Sequence, residues 1–229
     1  MRGGAGLAAA LAVGGAAACS RTAGDTLVAP GSAAVDAAEQ ARRAAGRSTV
    51  TARLTPRPVT IDIGARTVQT WAYGDELPGP LLRATAGDLL AVSVDNRLPT
   101  DTSVHWHGVA LRNDMDGVPH LTQDPIETGA SFTYEFTVPE PGTYFYHPHT
   151  GVQLDRGLYG VLVVDDPNEP GRYDEEWIVV LDDWVDGTGR TPDDVYADLT
   201  KNSGSGGSGA MGGMDHGSMG GMDHGSMGG

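Results

Sequence analysis

Two histidine pairs, His105-Trp106-His107 and His147-Pro148-His149, hold four of the seven histidines in this 229-residue chain. Neutral imidazole is a good ligand for copper, zinc, iron or nickel, so the residue type points to a metal centre without choosing the metal. The spacing adds direction. Along an extended strand, residues i and i+2 share a face, so each pair aims both rings one way while Trp106 or Pro148 points elsewhere. Two such strands laid side by side would present four nitrogen ligands to one small volume. One His-X-His alone would read as two ordinary strand histidines, and His120, with no partner at suitable spacing, reads as a loop residue.

The elements that must carry these pairs are short and β-rich. Strand-like runs cover Val59 to Ile63, Thr67 to Ala72, Leu89 to Val94, Ser103 to Val109, Ser131 to Val138, Gly142 to His147 and Gly160 to Val164. Turn residues separate them at Gly64-Ala65-Arg66, Leu77-Pro78-Gly79-Pro80, Ala86-Gly87-Asp88, Asp95-Asn96-Arg97 and Pro139-Glu140-Pro141-Gly142. Strands at this spacing with few helical stretches predict an all-β chain folded as a Greek-key β-sandwich. Trp177 to Trp184 reads as one more apolar strand, after the break at Pro167 to Gly171, and would open a second domain.

The motifs lie in a specific order. Ser103-Val104-His105-Trp106-His107-Gly108 is followed by Asp116-Gly117, by Gln123-Asp124-Pro125-Ile126, by Gly142-Thr143-Tyr144-Phe145-Tyr146-His147-Pro148-His149 and by Gly157-Leu158-Tyr159-Gly160. This arrangement resembles the first cupredoxin (plastocyanin-like) domain of multicopper oxidases, the laccases and bacterial copper-resistance oxidases, over roughly Thr49 to Asp166. The resemblance implies that four of eight histidines at a trinuclear copper cluster come from this domain, where dioxygen is reduced to water while a phenol-like substrate or cuprous ion is oxidised. By position, His105 would ligate the type 2 copper, His107 and His147 would share one type 3 copper, and His149 would bind the other. Asp116 falls where the family places an acidic residue that assists proton delivery, although an Asp-Gly pair in isolation reads as a turn. Trp106, Tyr144, Phe145 and Tyr146 are expected to pack around the site. For Gln153, Asp155 and Arg156, support of the site and ordinary surface or packing roles stay open.

What the family requires and this chain lacks is equally informative. The resemblance implies a type 1 copper held by two histidines and a cysteine thiolate. The chain's one cysteine, Cys19, lies far from every histidine in sequence. The remaining four cluster histidines and the thiolate are therefore expected from a last cupredoxin domain, in the same or another chain, and the sequence reads as the N-terminal portion of a longer oxidase, inactive alone. A two-domain oxidase or copper nitrite reductase is disfavoured because such chains carry the thiolate beside their histidine pairs.

Both flanks differ in texture from the sandwich. Residues 1–19 have a short basic start, an apolar centre and a small-residue end, as in a signal peptide for export. Cys19 after Ala16-Ala17-Ala18 sits where bacterial lipoproteins are cleaved and lipidated, an expectation that competes with simple cleavage of a periplasmic or secreted protein. Residues 20–48 read as an Ala/Gly-rich flexible tether with a candidate helix over Ala33 to Ala45, 49–167 as the cupredoxin domain, and 168–199 as linker plus first strand of an incomplete second domain. Residues 200–229 are low-complexity, and the segment Met214 to Gly221 is repeated unchanged from Met222 to Gly229. There Met211, Met214, Met219, Met222 and Met227 offer thioethers beside His216 and His224, a set that suits cuprous copper and supports an alternative reading as an exported copper-binding module. A disordered linker with idle methionines is the competing reading of that tail. With 15 basic against 30 acidic residues the formal charge is −15, which argues against broad attraction to nucleic acid or anionic lipid.

Overall fold

The computed structural model describes residues 28–43, 47–64 and 66–205. Its strands are β1 (Thr49–Leu54), β2 (Arg57–Asp62), β3 (Thr67–Ala72), β4 (Gly79–Thr85), β5 (Leu89–Asp95), β6 (His105–His107), β7 (Ser131–Thr137), β8 (Gly142–His147) and β9 (Gly160–Asp165), with helices α1 (Ala33–Arg42) and α2 (Pro192–Ser205) at either end. The strands form one sheet in the order β1-β5-β7, a second in the order β4-β9-β8-β6, and the separate hairpin β2-β3. The β-sandwich expected from the sequence is therefore the fold.

Alternation explains which residues are inside. In β5, Leu90, Val92 and Val94 are buried while their neighbours are half-exposed, and the antiparallel register sets Leu90 opposite Phe136 and Val92 opposite Tyr134. From the facing sheet come Leu82, Ala84, Trp106, Tyr146, Leu162 and Val164, and the two sets form one buried core. Trp106 sits at its centre, edge-on to Phe136 at 5.1 Å and to Tyr134 at 5.6 Å between ring centroids. Residue 106 must point inward for residues 105 and 107 to point out, so the burial of one indole fixes the direction of two imidazoles.

Four features depart from the sequence reading. Strand β4 begins inside the stretch read as punctuation, because Pro80 lies at a register shift between Gly79 and Leu82, where a missing N–H breaks no ladder bond. Strand β1, which is not among the strand-like runs above, alternates in burial along its length and pairs in parallel with β5. Trp177 to Trp184 forms no strand and belongs to no ladder, and Trp177, Val179 and Leu181 are exposed; an apolar run becomes a strand only where a neighbour takes up its backbone groups. The 168–199 segment instead contributes the start of α2, which continues to Ser205 and so occupies the first residues of the stretch read as low-complexity. Its start carries a capping box that the sequence displays: Thr191 Oγ1 accepts the Asp194 N–H at 3.2 Å, the Thr191 N–H donates to Asp194 Oδ2 at 2.8 Å, and Pro192 takes the first helical position.

Within the segment read as a tether, α1 forms over Ala33–Arg42 and packs on the sandwich through polar rather than apolar groups. Its Glu39 is buried and accepts the Thr137 N–H at the end of β7. The helix offers little apolar surface beyond its alanines, so its sequence announces no packing partner.

Candidate metal centre

Strands β6 and β8 pair antiparallel with His105 opposite His147, Trp106 opposite Tyr146 and His107 opposite Phe145. Directly opposed side chains on one face lie close together, so the register alone brings the first histidine of each pair side by side. His147 is the last residue of β8, and His149 lies beyond the strand, where the period of two no longer governs direction. A hydrogen bond takes over: the His149 N–H donates to Ser103 Oγ at 3.1 Å and folds that loop back beside the entry to β6.

One ring nitrogen from each of His105, His147 and His149 lies within 4.8 Å of the others. His107 joins through His147, its Nδ1 standing 3.0 Å from His147 Nε2. The structure thus gathers all four histidines singled out in the sequence. His147 is buried, His105 is half-buried, and His107 and His149 are exposed. The cluster occupies one end of the sheet order, on its terminal strand β6, and opens outward there.

The tautomers are set by the backbone. His105 Nδ1 donates to the Asp116 carbonyl at 2.7 Å, and His147 Nδ1 to the Pro148 carbonyl at 2.9 Å. Each commitment leaves Nε2 with a free lone pair, the arrangement that outer partners impose on metal-binding imidazoles. Phe145 adds a plate of carbon, stacked on His107 at 4.5 Å and on His147 at 4.9 Å. Burial above all, opposed by the pull of the Pro148 carbonyl and helped by His105, His149 and His107, brings the His147 imidazole down to about 4. Burial, followed by the neighbouring His105, lowers His149 as well. Neutral rings at pH 7 are ligands; protonated rings are not.

These donors fit a metal ion. With metal–nitrogen bonds of about 2.0–2.1 Å, two nitrogens 3.0 Å apart subtend roughly 95° at a shared ion, an ordinary angle between neighbouring ligands. The all-imidazole set suits a transition metal rather than calcium or magnesium, which prefer oxygen.

Other residues fall into clear places. The Asp116 carboxylate lies 3.4 Å from His105 Nδ1 and is part-exposed, so it stands at the rim of the cluster. Gln153 is buried and ties the approach to β6 to the loop after His149, accepting from Thr102 Oγ1 at 2.7 Å and donating to the Asp101 carbonyl at 2.8 Å. Arg156 serves the fold elsewhere, pairing with buried Asp186 at 3.1 Å and lying over Trp71. Asp155 belongs to the 3-10 turn Leu154–Arg156, its carboxyl raised first by burial and then by Asp182 and Asp183. Cys19 and the tail residues Met211, Met214, His216, Met219, Met222, His224 and Met227 lie outside the described residues.

Sequence reasoning passed over Gly117. Its φ is +79°, and a Cβ there would sit 1.8 Å from the Val104 carbonyl oxygen. Only glycine lets the 116–117 backbone approach β6 closely enough for the Asp116 carbonyl to reach His105. The Asp-Gly pair was visible; that it serves a cross-chain approach rather than a local turn was not.

Comparison with known proteins agrees with this geometry. The family model for multicopper oxidases matches residues 55–169. The multicopper oxidase MmcO of Mycobacterium tuberculosis is 60% identical over 168 residues, spanning 73% of this chain and 33% of that protein. Copper resistance protein A of Pseudomonas syringae pv. tomato is 46% identical over 127 residues, spanning 55% of this chain and 21% of that protein. The crystal structure of a multicopper oxidase from Pseudomonas thermotolerans superposes with a TM-score of 0.52 at 39% identity, covering 55% of this chain and 31% of that one. The chain therefore spans a third or less of these relatives' length. All four clustered histidines fall inside the matched span, which accounts for half of the sequence, and the chain belongs to the multicopper oxidase family.

Proposed function

We propose that this chain supplies four histidines, His105, His107, His147 and His149, to a trinuclear copper cluster whose remaining ligands come from another cupredoxin domain in the same or another chain. The observation that carries this reading is the convergence of the four rings at the outward-opening end of one sheet, with His107 Nδ1 and His147 Nε2 3.0 Å apart. When bound, copper supplies the electron transfer by which oxidation of a phenol-like substrate or cuprous ion is coupled to reduction of dioxygen to water. His107 and His147, being closest, are assigned to one type 3 ion, His149 to the second, and His105 to the type 2 ion.

The remaining roles follow from position. The backbone carbonyls of Asp116 and Pro148 hold two imidazoles in the ligating tautomer. Asp116, with its carboxylate at the rim, is placed to carry protons from solvent toward the cluster, where reduction of dioxygen consumes them. Phe145 keeps His107 and His147 from swinging and limits water on one side. The one cysteine of the sequence, Cys19, has no place in a type 1 site here, so the thiolate is assigned to the other domain together with the substrate pocket. Export to the periplasm or beyond, with or without a lipid on Cys19, is the setting this reading assumes.

The test is copper loading under nitrogen followed by oxygen uptake with a phenol or a cuprous salt. Copper at the cluster is expected to bind to imidazole alone, with that copper binding lost in His147→Leu, and the chain by itself is expected to consume no oxygen. Turnover by this polypeptide alone would refute the half-site reading.

A second reading, an exported copper-gathering module, is favoured by the exact duplication of Met-Asp-His-Gly-Ser-Met-Gly-Gly at the end of the sequence. Titration of cuprous ion into the full chain and into a chain ending at Lys201 separates the two; equal stoichiometry eliminates the tail as a binding segment.

A further inference from the structure

Between β6 and β7 the chain runs through a loop, residues 108–117, whose last two residues bring the Asp116 carbonyl to His105. Helix α1 is bonded to that loop at two points and to the adjacent strand at a third. Asp36 Oδ1 accepts from Arg112 Nη2 at 3.0 Å, Arg42 Nη1 donates to the Ala110 carbonyl at 2.9 Å, and buried Glu39 accepts the Thr137 N–H. These three residues recur at a spacing of three, one face of a helix. Arg112 is itself gripped on the loop side, Nε donating to Asp114 Oδ1 at 2.7 Å and Nη2 to Asp114 Oδ2 at 2.9 Å. Asp114 belongs to a 3-10 turn, Asn113–Met115, that ends at Asp116, whose N–H donates to the Asn113 carbonyl at 3.3 Å. Hydrogen bonds from α1 to Arg112 and from Arg112 to Asp114, followed by the short 113–116 turn of backbone, thus join α1 to the group that sets the His105 tautomer.

We infer that α1 is a positioning element of the histidine cluster: Asp36 and Arg42 act on His105 through the 110–116 loop, keeping its Nδ1 protonated and its Nε2 free for a metal. The geometry favours this over a merely stabilising role, because the contacts fall on the loop that carries Asp116. The Arg112 guanidinium is only 15% exposed and is bracketed by two carboxylates, one from each side of the junction. A planar fork held at both ends transmits position where a flexible ammonium would not. His147 takes its tautomer from the carbonyl of the next residue, Pro148, outside this line, so it is an internal control. The inference uses the metal-ligand role of His105 assigned above, but its first readout needs no metal.

The experiment uses the full chain with 15N-labelled histidine. Imidazole nitrogen shifts report the tautomer of each ring, and exchange of the Thr137 amide reports whether α1 remains docked. In Asp36→Asn/Arg42→Gln, the Thr137 amide is expected to lose protection, and His105 to pass from Nδ1–H to a mixture of tautomers with His147 unchanged. Cuprous affinity at the cluster should fall about tenfold, the lower end of what loss of an outer partner costs a metal site. Asp36→Glu, which keeps the charge, should hold the parent tautomer. If the Thr137 amide exchanges freely while His105 stays Nδ1–H, the inference is overturned. Should the tautomer shift as expected while copper fails to bind the four histidines in the parent chain, the positioning role stands and the copper reading falls.

Discussion

Replacing Gly117 with alanine separates the cost of backbone conformation from the cost of a lost approach. A Cβ at 117 would lie 1.8 Å from the Val104 carbonyl oxygen, 2.5 Å from its carbon and 2.9 Å from the His105 nitrogen. Ordinary contact begins near 3.4 Å, so relief along that line requires the two backbones to part by about 1.6 Å. The same movement takes the Asp116 carbonyl from 2.7 Å to about 4 Å from His105 Nδ1, past the reach of a hydrogen bond. Left-handed backbone costs an alanine about 1–2 kcal/mol, and overpacking adds about 1–3 kcal/mol, so the loss of stability should be about 2–5 kcal/mol. For a domain of this size that is a fall of about 10 °C or more in Tm. Cuprous affinity should fall about 10- to 100-fold as His105 loses its orienting partner. Gly129 is the control: its φ is +80° and nothing lies within 4 Å of where its Cβ would be, so Gly129→Ala meets the conformational cost alone. Circular-dichroism melts and competition with a chromophoric cuprous chelator measure both quantities. Equal effects of the two substitutions on Tm and affinity would sink the reasoning, since they would mean that the approach to β6 is immaterial.

Phe145→Ala removes the ring stacked on both His107 and His147; at about 0.5–1.5 kcal/mol per aromatic pair, cuprous affinity should drop roughly fivefold or more in the same competition assay, with little change in Tm because Phe145 is partly exposed. Asn96→Ala strips a buried amide that donates to the Thr100 and Ile126 carbonyls at 2.9 and 2.8 Å and accepts the Leu98 N–H at 2.9 Å, and urea unfolding should register a loss of about 2–3 kcal/mol. Arg83→Ala tests linkage. The hydrogen bond from Arg83 holds the Asp165 carboxyl below its ordinary range, so the pair's contribution is present above the unfolded pKa near 4 and is lost as pH falls through the lower folded value. The Tm gap between parent and variant should therefore be open at pH 7 and close below about pH 4; a gap independent of pH contradicts the assignment.

Much of the site was legible because its information is local. The His-X-His spacing fixes direction once Trp106 is known to be buried, and the apolar alternation of β5 and β7 is enough to place that core. What could not be read was set by non-local register or by polar docking. Nothing in the sequence says that His105 stands opposite His147, or that Ser103 captures the loop bearing His149. Helix α1 has no apolar stripe to announce a partner, since it is held by Asp36, Glu39 and Arg42. The error at Trp177 to Trp184 has the converse cause. Composition reports that a segment prefers to be extended and covered, whereas a ladder needs a second backbone, and among the described residues none is hydrogen-bonded to it as a strand.

The four imidazoles are not held equally, and that inequality bears on the half-site proposed above. His105 and His147 each have one nitrogen committed to a backbone carbonyl and sit opposite each other on a ladder, so their Nε2 directions are fixed before any metal arrives. His107 Nδ1 donates to His147 Nε2, a bond that ends when His107 takes its other tautomer and both lone pairs turn to an ion. His149 is exposed and anchored by its backbone N–H alone among its described hydrogen bonds. Preorganisation is therefore concentrated in the inner pair, and adjustment remains with the outer pair, on the side facing away from the core. Rigid inner ligands lower the ordering cost of binding the ions they are assigned to hold. Outer ligands that still have freedom can settle against a second set of histidines on an opposing surface without straining the sandwich beneath them. If the inner pair supplies the affinity, His147→Leu should abolish cuprous binding at the cluster whereas His149→Leu should weaken it by no more than about tenfold, and equal losses would show that the four rings act as a single unit.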